Sequence, residues 1–334
     1  MKAVIPAAGQ GTRLYPQTYT KPKPLVRIAG KPILGHILDN LVESRIDDVV
    51  VVVGVMREMV VDYVTGAYGD RFDLTFVDQE QTEGLGHSVY QARSAVDGDS
   101  VCILLGDMLF DSGYEAFLEA HDALGECVGS LGVKRVEDPS SYGIVTLDDA
   151  GCVVDLTEKP EDPSSNLAIS GIYCIENSTG LFGHLEHLIE NDVRGAGGEY
   201  QLTDALARMV ESGETLRTFD VQDWYDCGRP ATLLEANRLL LDRREPTSAD
   251  PESGVVIPPV DIGEDVDIVN SVVGPYVSVD DHASIVDSRV KGTIVGARSE
   301  VVEVNLSESI VGDGSTVTAT PTHLNIGDSS EVEL

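Results

Sequence analysis

From Ile262 onward an aliphatic side chain recurs every six positions: Ile262 and Ile268; Val273, Val279 and Ile285; Val295 and Val301; Val311 and Val317. Several are followed by glycine and a few polar residues, as in Ile262-Gly263-Glu264-Asp265-Val266 and Val311-Gly312-Asp313-Gly314-Ser315. A period of six fits neither an isolated helix nor an isolated strand. It fits a solenoid whose coils stack so that each aliphatic position lies over the next. Residues 255–334 are therefore expected to form a short left-handed parallel β-helix. The register slips at Asp287–Thr293 and at Glu303–Ser309, where loops or irregular coils are expected. A β-sandwich of alternating strands is the competing architecture for this segment.

The preceding residues follow another rule. Short valine-rich runs, Ala3–Ile5, Asp48–Val53, Leu74–Val77 and Val101–Leu105, alternate with amphipathic stretches at Ile33–Ser44, Met56–Tyr63 and Ser88–Val96. Strand, helix, strand in that order predicts a mainly parallel sheet with helices on both faces, which binds ligands at the carboxyl ends of its strands. Further strands are expected near Ile144–Thr146, Ala168–Cys174 and Thr215–Phe219. A helix should begin at about Pro230 and end at Arg243 and Arg244, whose charges suit a negative helix end. Residues 245–254 have almost no core-forming side chains and read as a linker, so the expected domains are 1–244 and 255–334.

Charge is distributed unevenly. The chain carries 57 acidic and 23 basic residues, a net charge of −34, yet nothing before Asp39 is acidic. The acid-free run holds Ala7-Ala8-Gly9-Gln10-Gly11-Thr12-Arg13-Leu14 and Thr20-Lys21-Pro22-Lys23-Pro24-Leu25, a glycine loop followed by proline-stiffened lysines. Such a segment is suited to a polyphosphate. The acidic surplus elsewhere is of the kind that keeps a surface solvated in a salt-rich cytoplasm, and it argues against nucleic acid as a partner. Cys102, Cys127, Cys152, Cys174 and Cys227 are odd in number and lack zinc-type spacing, so they are expected to be buried thiols in a reducing compartment. No apolar run approaches the length of a membrane span, and the expectation is a cytoplasmic protein without a membrane partner.

A Gly-Xaa-Gly loop after a first strand is weak evidence by itself. Here the third glycine of a dinucleotide fingerprint is missing, as is the Gly-Lys-Ser/Thr ending of a Walker loop. The longer pattern Gly9-Xaa-Gly11-Thr12-Arg13-Leu14-Xaa-Pro16-Xaa-Thr18, then Pro22-Lys23-Pro24-Leu25, resembles the signature of sugar-1-phosphate nucleotidylyltransferases. Family-like segments continue in order to about residue 240: Gly84-Leu85-Gly86-His87-Ser88, Gly106-Asp107, Tyr142-Gly143, Glu158-Lys159-Pro160, Gly171-Ile172-Tyr173, Gly198-Glu199-Tyr200-Gln201-Leu202-Thr203-Asp204 and Trp224-Tyr225-Asp226-Cys227-Gly228. The repeat tail is similar to that of the longer members.

The resemblance implies an α/β, Rossmann-like nucleotidyltransferase domain with a mainly parallel mixed sheet, followed by the β-helix. It implies transfer of a nucleotidyl group from UTP or dTTP to a sugar 1-phosphate, by default glucose 1-phosphate, with Mg²⁺ as cofactor. Arg13 and Lys23 match catalytic positions; Ala8, Gly9, Gly11, Thr12, Gln79 and Gly84 match nucleotide-binding ones. Gly143, Glu158, Lys159, Tyr173 and Glu199 match the sugar-phosphate side, and Asp107 and Asp226 match the metal carboxylates. Physical chemistry agrees with these roles. Glycine backbone can approach phosphate closely, an arginine fork matches phosphate oxygens, and two carboxylates plus phosphate oxygens and waters suffice for Mg²⁺. Gly86-His87 departs from the Ala-Gln of short thymidylyltransferases, which leaves uracil and thymine both open. A non-catalytic regulatory subunit and a bifunctional nucleotidyl/acetyltransferase are the alternatives. His282 and His323 in the tail lack a recognisable acetyltransferase context. A short solenoid needs its ends covered, so a homo-oligomer, built through the β-helix as a trimer, tetramer or hexamer, is expected.

Overall fold

The computed structural model describes residues 1–222, 224–244 and 253–320, together with 323, 326, 329 and 331. The chain divides into two compact units, one of residues 1–26 and 31–232, the other of 27–30 and 233–334. This division cuts the last helix of the first segment near its start, whereas sequence placed the boundary after that helix. Most of the expected linker, 245–252, lies outside the described residues, and its last two residues already belong to the strand Ser253–Val256.

The first half of the larger unit runs β1 (Lys2–Pro6), α1 (Ile33–Val42), β2 (Asp48–Val53), α2 (Arg57–Tyr68), β3 (Asp73–Asp78), α3 (Leu85–Gln91) and β4 (Val101–Leu104). The four strands are parallel in the order β3-β2-β1-β4, with Ala3 beside Val49 and Cys102. The all-valine stretch of β2 is legible from this arrangement. Val50 and Val52 pack with Val4 against Val89 of α3, while Val49, Val51, Ala3 and Ile5 are buried as well. A sheet covered on both faces needs apolar side chains at successive positions rather than alternation.

The second half continues with β5 (Met108–Phe110), α4 (Tyr114–Asp122), β6 (Gly129–Arg135), β7 (Gly143–Leu147), β8 (Val153–Glu158), β9 (Leu167–Ile175), α5 (Ser178–Glu190), α6 (Leu202–Glu211), β10 (Leu216–Asp220), β11 (Trp224–Asp226) and α7 (Pro230–Asp242). Here the sheet changes sense. β9 lies antiparallel to β4, β6 and β7, and only β10 is parallel to its neighbour β6. The sheet is thus mixed, parallel on the β1 side and mostly antiparallel beyond β4. Leu181, Leu185, Leu202, Leu206 and Met209 of α5 and α6 join the Val4 cluster. Cys102 and Cys174 face each other across the β4–β9 seam with sulfurs 3.9 Å apart, and Cys227 is also buried, but Cys127 and Cys152 are only half-buried. The expectation of five buried thiols therefore holds for three.

In the smaller unit, parallel strands pair residues sixteen or seventeen apart, as in Val260 with Val277, Ile268 with Ile285 and Val301 with Val317. This parallel β-helix excludes the sandwich. Its core is Ile268, Val273, Val279, Ile285, Val290, Val295 and Val301. The segments expected to be irregular are ordered strands, Arg289–Lys291 and Asn305–Ser307, stacked on each other. Their corners explain the slip. Asn270, Asp287 and Glu303 take positive φ, which turns the chain in fewer residues than a full hexad. Buried Ser271 fills one corner: its hydroxyl donates to the Val269 carbonyl at 2.7 Å and accepts from the Ser288 N–H at 3.0 Å, and Ser288 repeats the pattern with Val286 and Val304. From Leu233 onward α7 belongs to this unit, where buried Asn237 Oδ1 accepts from the Ala29 N–H and the Ser278 hydroxyl. Arg244 pairs with Asp261 at 2.6 Å, so it is engaged there rather than on the helix end sequence assigned it. Among the described residues no helix is long and apolar enough to cross a membrane.

Candidate active site

The carboxyl ends of β1 and β4 open onto a cleft of about 600 Å³ in the larger unit. Ala8, Gly9, Gly11, Thr12 and Arg13 line it where the chain leaves β1. Gly11 adopts a left-handed conformation (φ 65°, ψ 30°) that starts the short turn Thr12–Leu14, and the Thr18 hydroxyl donates to its carbonyl at 2.8 Å. A side chain there would lie 2.9 Å from Cβ of Lys23 and 3.0 Å from the Thr18 methyl. A Cβ on Gly9 would meet nothing within 4 Å, so this glycine keeps backbone open to the cleft. The two glycines therefore act differently: one makes room for the lysine, the other for whatever occupies the cleft. Arg13 is exposed and joins no ion pair among the described residues.

Lys23 follows Pro22 and precedes Pro24 in a second short turn, and it is 9% exposed. A buried ammonium requires a partner, and Lys23 Nζ donates to Asp107 Oδ2. Asp107 lies just beyond β4, and the antiparallel pair β5–β11 sets Asp226 opposite Met108, the next residue. The Cys227 N–H donates to the Asp107 carbonyl at 2.9 Å, which ties the two carboxylate segments together. Asp226 Oδ1 accepts from the Gly228 N–H at 2.6 Å. Each aspartate thus commits one oxygen to the protein and retains another. Two hard oxygen donors beside a glycine loop fit Mg²⁺, a cation that one or two carboxylates hold when phosphate oxygens and waters complete its shell. Burial pushes the Cys227 thiol up, with the charge of Asp107 adding to it, so the sulfur beside Asp226 is a neutral packing group.

Gln79, Thr82, Gly84, Leu85 and Ser88 form one wall. Gly84 takes φ 112°, and a side chain there would stand 2.6 Å from the Tyr200 carbonyl and 2.8 Å from Cβ of Glu199. The Tyr200 N–H donates to the Glu83 carbonyl, and the Gly86 N–H donates to the Tyr200 carbonyl, both at 2.8 Å. The loop bearing Gln79 and Gly84 is therefore clasped to the one bearing Glu199. Buried Gln79 and His87 Nδ1 are 3.1 Å apart, which braces the amide from behind.

On the opposite side, the β7–β8 pairing sets Gly143 beside Glu158. Glu158 Oε2 accepts from the Thr203 hydroxyl at 2.7 Å, and its other oxygen meets Lys159 Nζ at 3.2 Å. A side chain on Gly143 would strike Glu158 Oε2 at 2.9 Å and Thr203 Oγ1 at 3.0 Å. Tyr173 on β9 is buried, and burial, with the charges of Glu158 and Asp107, raises its hydroxyl well above the ordinary tyrosine range, so the hydroxyl stays neutral. Every site residue named from sequence thus lines this one cleft. Thr203, Gln201 and Thr82 also line it and were not singled out. Thr203 lies in the family-like segment Gly198–Asp204, but its part is set only where the first turn of α6 meets Glu158.

The sequence profile of the nucleotidyl transferase family matches residues 2–243. The bifunctional protein GlmU of Methanocaldococcus jannaschii is 36% identical over 244 residues, covering 73% of this chain and 55% of that protein. The chain thus spans about half the length of several curated relatives it matches. A glucose-1-phosphate thymidylyltransferase of Streptomyces antibioticus is 31% identical over 360 aligned positions, covering 100% of this chain and 99% of the relative. A UDP-glucose pyrophosphorylase solved with UDP-glucose matches with a TM-score of 0.64 at 25% identity, over 73% of this chain and 99% of that one. With a mixed α/β sheet, a glycine loop at its first strand and a family match across its catalytic segment, the chain belongs to the nucleotidyl transferase family.

Proposed function

We propose that the protein transfers the nucleotidyl group of UTP or dTTP to a sugar 1-phosphate, with glucose 1-phosphate as the foremost acceptor, releasing pyrophosphate and an NDP-sugar. The observation that carries this reading is the convergence of Arg13, Lys23, Asp107 and Asp226 on one cleft, with Gln79 and Gly84 on one wall, Glu158 and Lys159 on the other, and Glu199 on the loop clasped to Gly84. Relatives named for glucose 1-phosphate and for UDP-glucose support the choice of sugar.

In this reading Gly9 and Gly11, with Ala8 and Thr12, approach the triphosphate, and the guanidinium fork of Arg13 clamps the departing pyrophosphate. Lys23 faces the charge that accumulates between the α-phosphorus and the incoming phosphate, and Asp107 holds its ammonium at the cleft until phosphate oxygens compete for it. Gln79 presents an amide to the pyrimidine edge, with Gly84 beside it. Glu199 accepts from sugar hydroxyls, Lys159 holds the sugar phosphate, and Glu158, oriented by Thr203, steadies Lys159. Asp107 and Asp226 would hold Mg²⁺, which when bound neutralises phosphate charge. The attacking phosphate is largely dianionic at neutral pH, its second pKa being about 6, so no general base is needed. Positioning and charge neutralisation carry the catalysis.

The test is pyrophosphate release with Mg²⁺ in high KCl, across UTP, dTTP, GTP and ATP against glucose, galactose, mannose and N-acetylglucosamine 1-phosphates. A winning pair containing UTP or dTTP is the expected result. Silence across the grid with folded protein would favour a non-catalytic relative.

A further inference from the structure

Arg194 lies in the glycine-rich connection between α5 and α6, and it takes no part in the cleft chemistry described above. Its guanidinium nevertheless gathers an unusual set of partners. Nη2 donates to Glu83 Oε1 at 2.7 Å and to the Tyr200 hydroxyl at 3.0 Å, Nε donates to Asp192 Oδ1 at 2.7 Å, and Nη1 donates to the Gly198 carbonyl at 3.2 Å. The group lies over the Tyr200 ring, 4.2 Å from its centre, and the Tyr200 hydroxyl in turn donates to Asp192 Oδ1 at 2.8 Å. Glu83 immediately precedes Gly84, and Gly198 immediately precedes Glu199. One side chain thus joins the wall facing the base to the loop that presents Glu199.

The two walls are anchored unequally. The Glu83 side is fixed independently, because the Gln79 N–H donates to the Val53 carbonyl at the end of β2 and Gly84 leads directly into α3. The connection Gly195-Ala196-Gly197-Gly198 has few side chains of its own to hold it. It is held locally by the Gly195 N–H to Glu199 carbonyl bond, the Gly198 N–H to Gly195 carbonyl bond, the Gln201 amide to the Ala196 carbonyl and Glu199 Oε2, and the Tyr200 main chain, while Arg194 is the side chain that ties its Gly198 carbonyl to the Glu83 carboxylate. An isolated exposed ion pair contributes little, but a planar fork shared among several acceptors and stacked on a ring is the arrangement in which such contacts hold geometry.

We propose that Arg194 is a positioning residue that latches the sugar-binding loop to the base-binding wall, so that Glu199 meets the sugar at a fixed distance from the bound nucleotide. This rests on the assignment of Glu199 and Gln79 to the two substrates. Because the base wall stands without the latch, losing it acts on the sugar phosphate and spares the nucleotide.

The experiment is steady-state kinetics of the full chain with the best substrate pair, on wild type, Arg194→Ala, Arg194→Lys and Glu83→Gln, with thermal melting of each. Wild-type turnover is measured first: its absence removes the functional reading itself, before the latch is tested. With an active wild type, Arg194→Ala should raise KM for the sugar 1-phosphate about tenfold and leave KM for the nucleotide within twofold. Arg194→Lys, which keeps the charge without the fork, should lie between, and Glu83→Gln should move the same constant in the same direction. The proposal is overturned if the sugar KM is unchanged in Arg194→Ala or Glu83→Gln, or if both KM values shift together with the melting temperature. Should Arg194→Ala not fold, Arg194→Lys and Glu83→Gln decide the matter by the same criteria.

Discussion

Replacing Gly11 by alanine perturbs the site through two costs that the structure separates. The left-handed backbone at φ 65° disfavours an L side chain by about 1–2 kcal/mol. The new methyl would also stand 2.9 Å from Cβ of Lys23 and 3.0 Å from the Thr18 methyl, where carbon atoms prefer about 3.5–4.0 Å. Thr18 is tethered by its hydroxyl to the Gly11 carbonyl, and Lys23 is buried between two prolines, so the relief must come as a shift of roughly half an ångström or more in the lysine turn. Misplacing a catalytic group by about 1 Å costs on the order of 100-fold in rate. Gly11→Ala should therefore lose about 1–3 kcal/mol of stability, a fall of several degrees in Tm, and about 10- to 100-fold in kcat. Gly9→Ala is the matched control. With no atom within 4 Å and no left-handed φ, it should melt like wild type but raise KM for the nucleotide, because its methyl enters the space left for phosphate. Thermal melting and pyrophosphate-release kinetics on the two variants read these effects separately. A Gly11→Ala protein with wild-type Tm and kcat would refute the reasoning.

Asp204 is half-buried, and burial, with a contribution from the charge of Glu158, raises its pKa above the usual aspartate value. The folded chain therefore holds this proton more tightly than the unfolded chain, and stability falls as pH rises from the unfolded pKa through the folded one. Asp204→Asn should raise Tm at pH 7, with the gain shrinking as pH drops below the carboxylate range; a lower Tm at pH 7 would contradict this. The Ser88 hydroxyl is buried without a hydrogen-bond partner among the described residues, so Ser88→Ala should be neutral or stabilising by about 1 kcal/mol in thermal melts. Ile285 is fully buried in the β-helix, and Ile285→Ala should cost about 2–5 kcal/mol in denaturant unfolding, unlike a substitution of exposed Val255. Turnover should vanish with EDTA and return with Mg²⁺, and Asp226→Asn should raise the Mg²⁺ concentration giving half-maximal rate; an unchanged Mg²⁺ requirement would remove Asp226 from the metal's ligands.

Much of the site was legible because its signals are local. Gly9, Gly11 and Lys23 sit in one short segment whose lack of acids and flanking prolines are properties of the sequence itself. Asp107 follows a strand ending at the ligand-binding edge, but its role was legible only through its match to a family carboxylate position. Long-range chemistry was not. The pairing of Lys23 with Asp107 joins residues 84 positions apart, and the contact of Arg194 with Glu83 joins residues 111 apart. No periodicity records such meetings.

The β-helix shows the same division from another side. Its existence followed from the six-residue aliphatic recurrence, because a stacked coil can bury side chains only at repeating positions. The length of each coil did not, since Ser271 and Ser288 look like surface residues in the sequence but lie buried, closing the corners through hydrogen bonds to neighbouring coils. In the larger unit, sequence determined the strand–helix alternation, the glycine loop and the residues that share the cleft. Only the tertiary structure decided that the sheet turns antiparallel at β9, that Thr203 steers Glu158, and that Arg194 joins two loops. Hydrophobic period and backbone preference act between near neighbours and leave their mark on the chain, whereas a hydrogen bond between distant segments exists only once the whole sheet has brought its ends together.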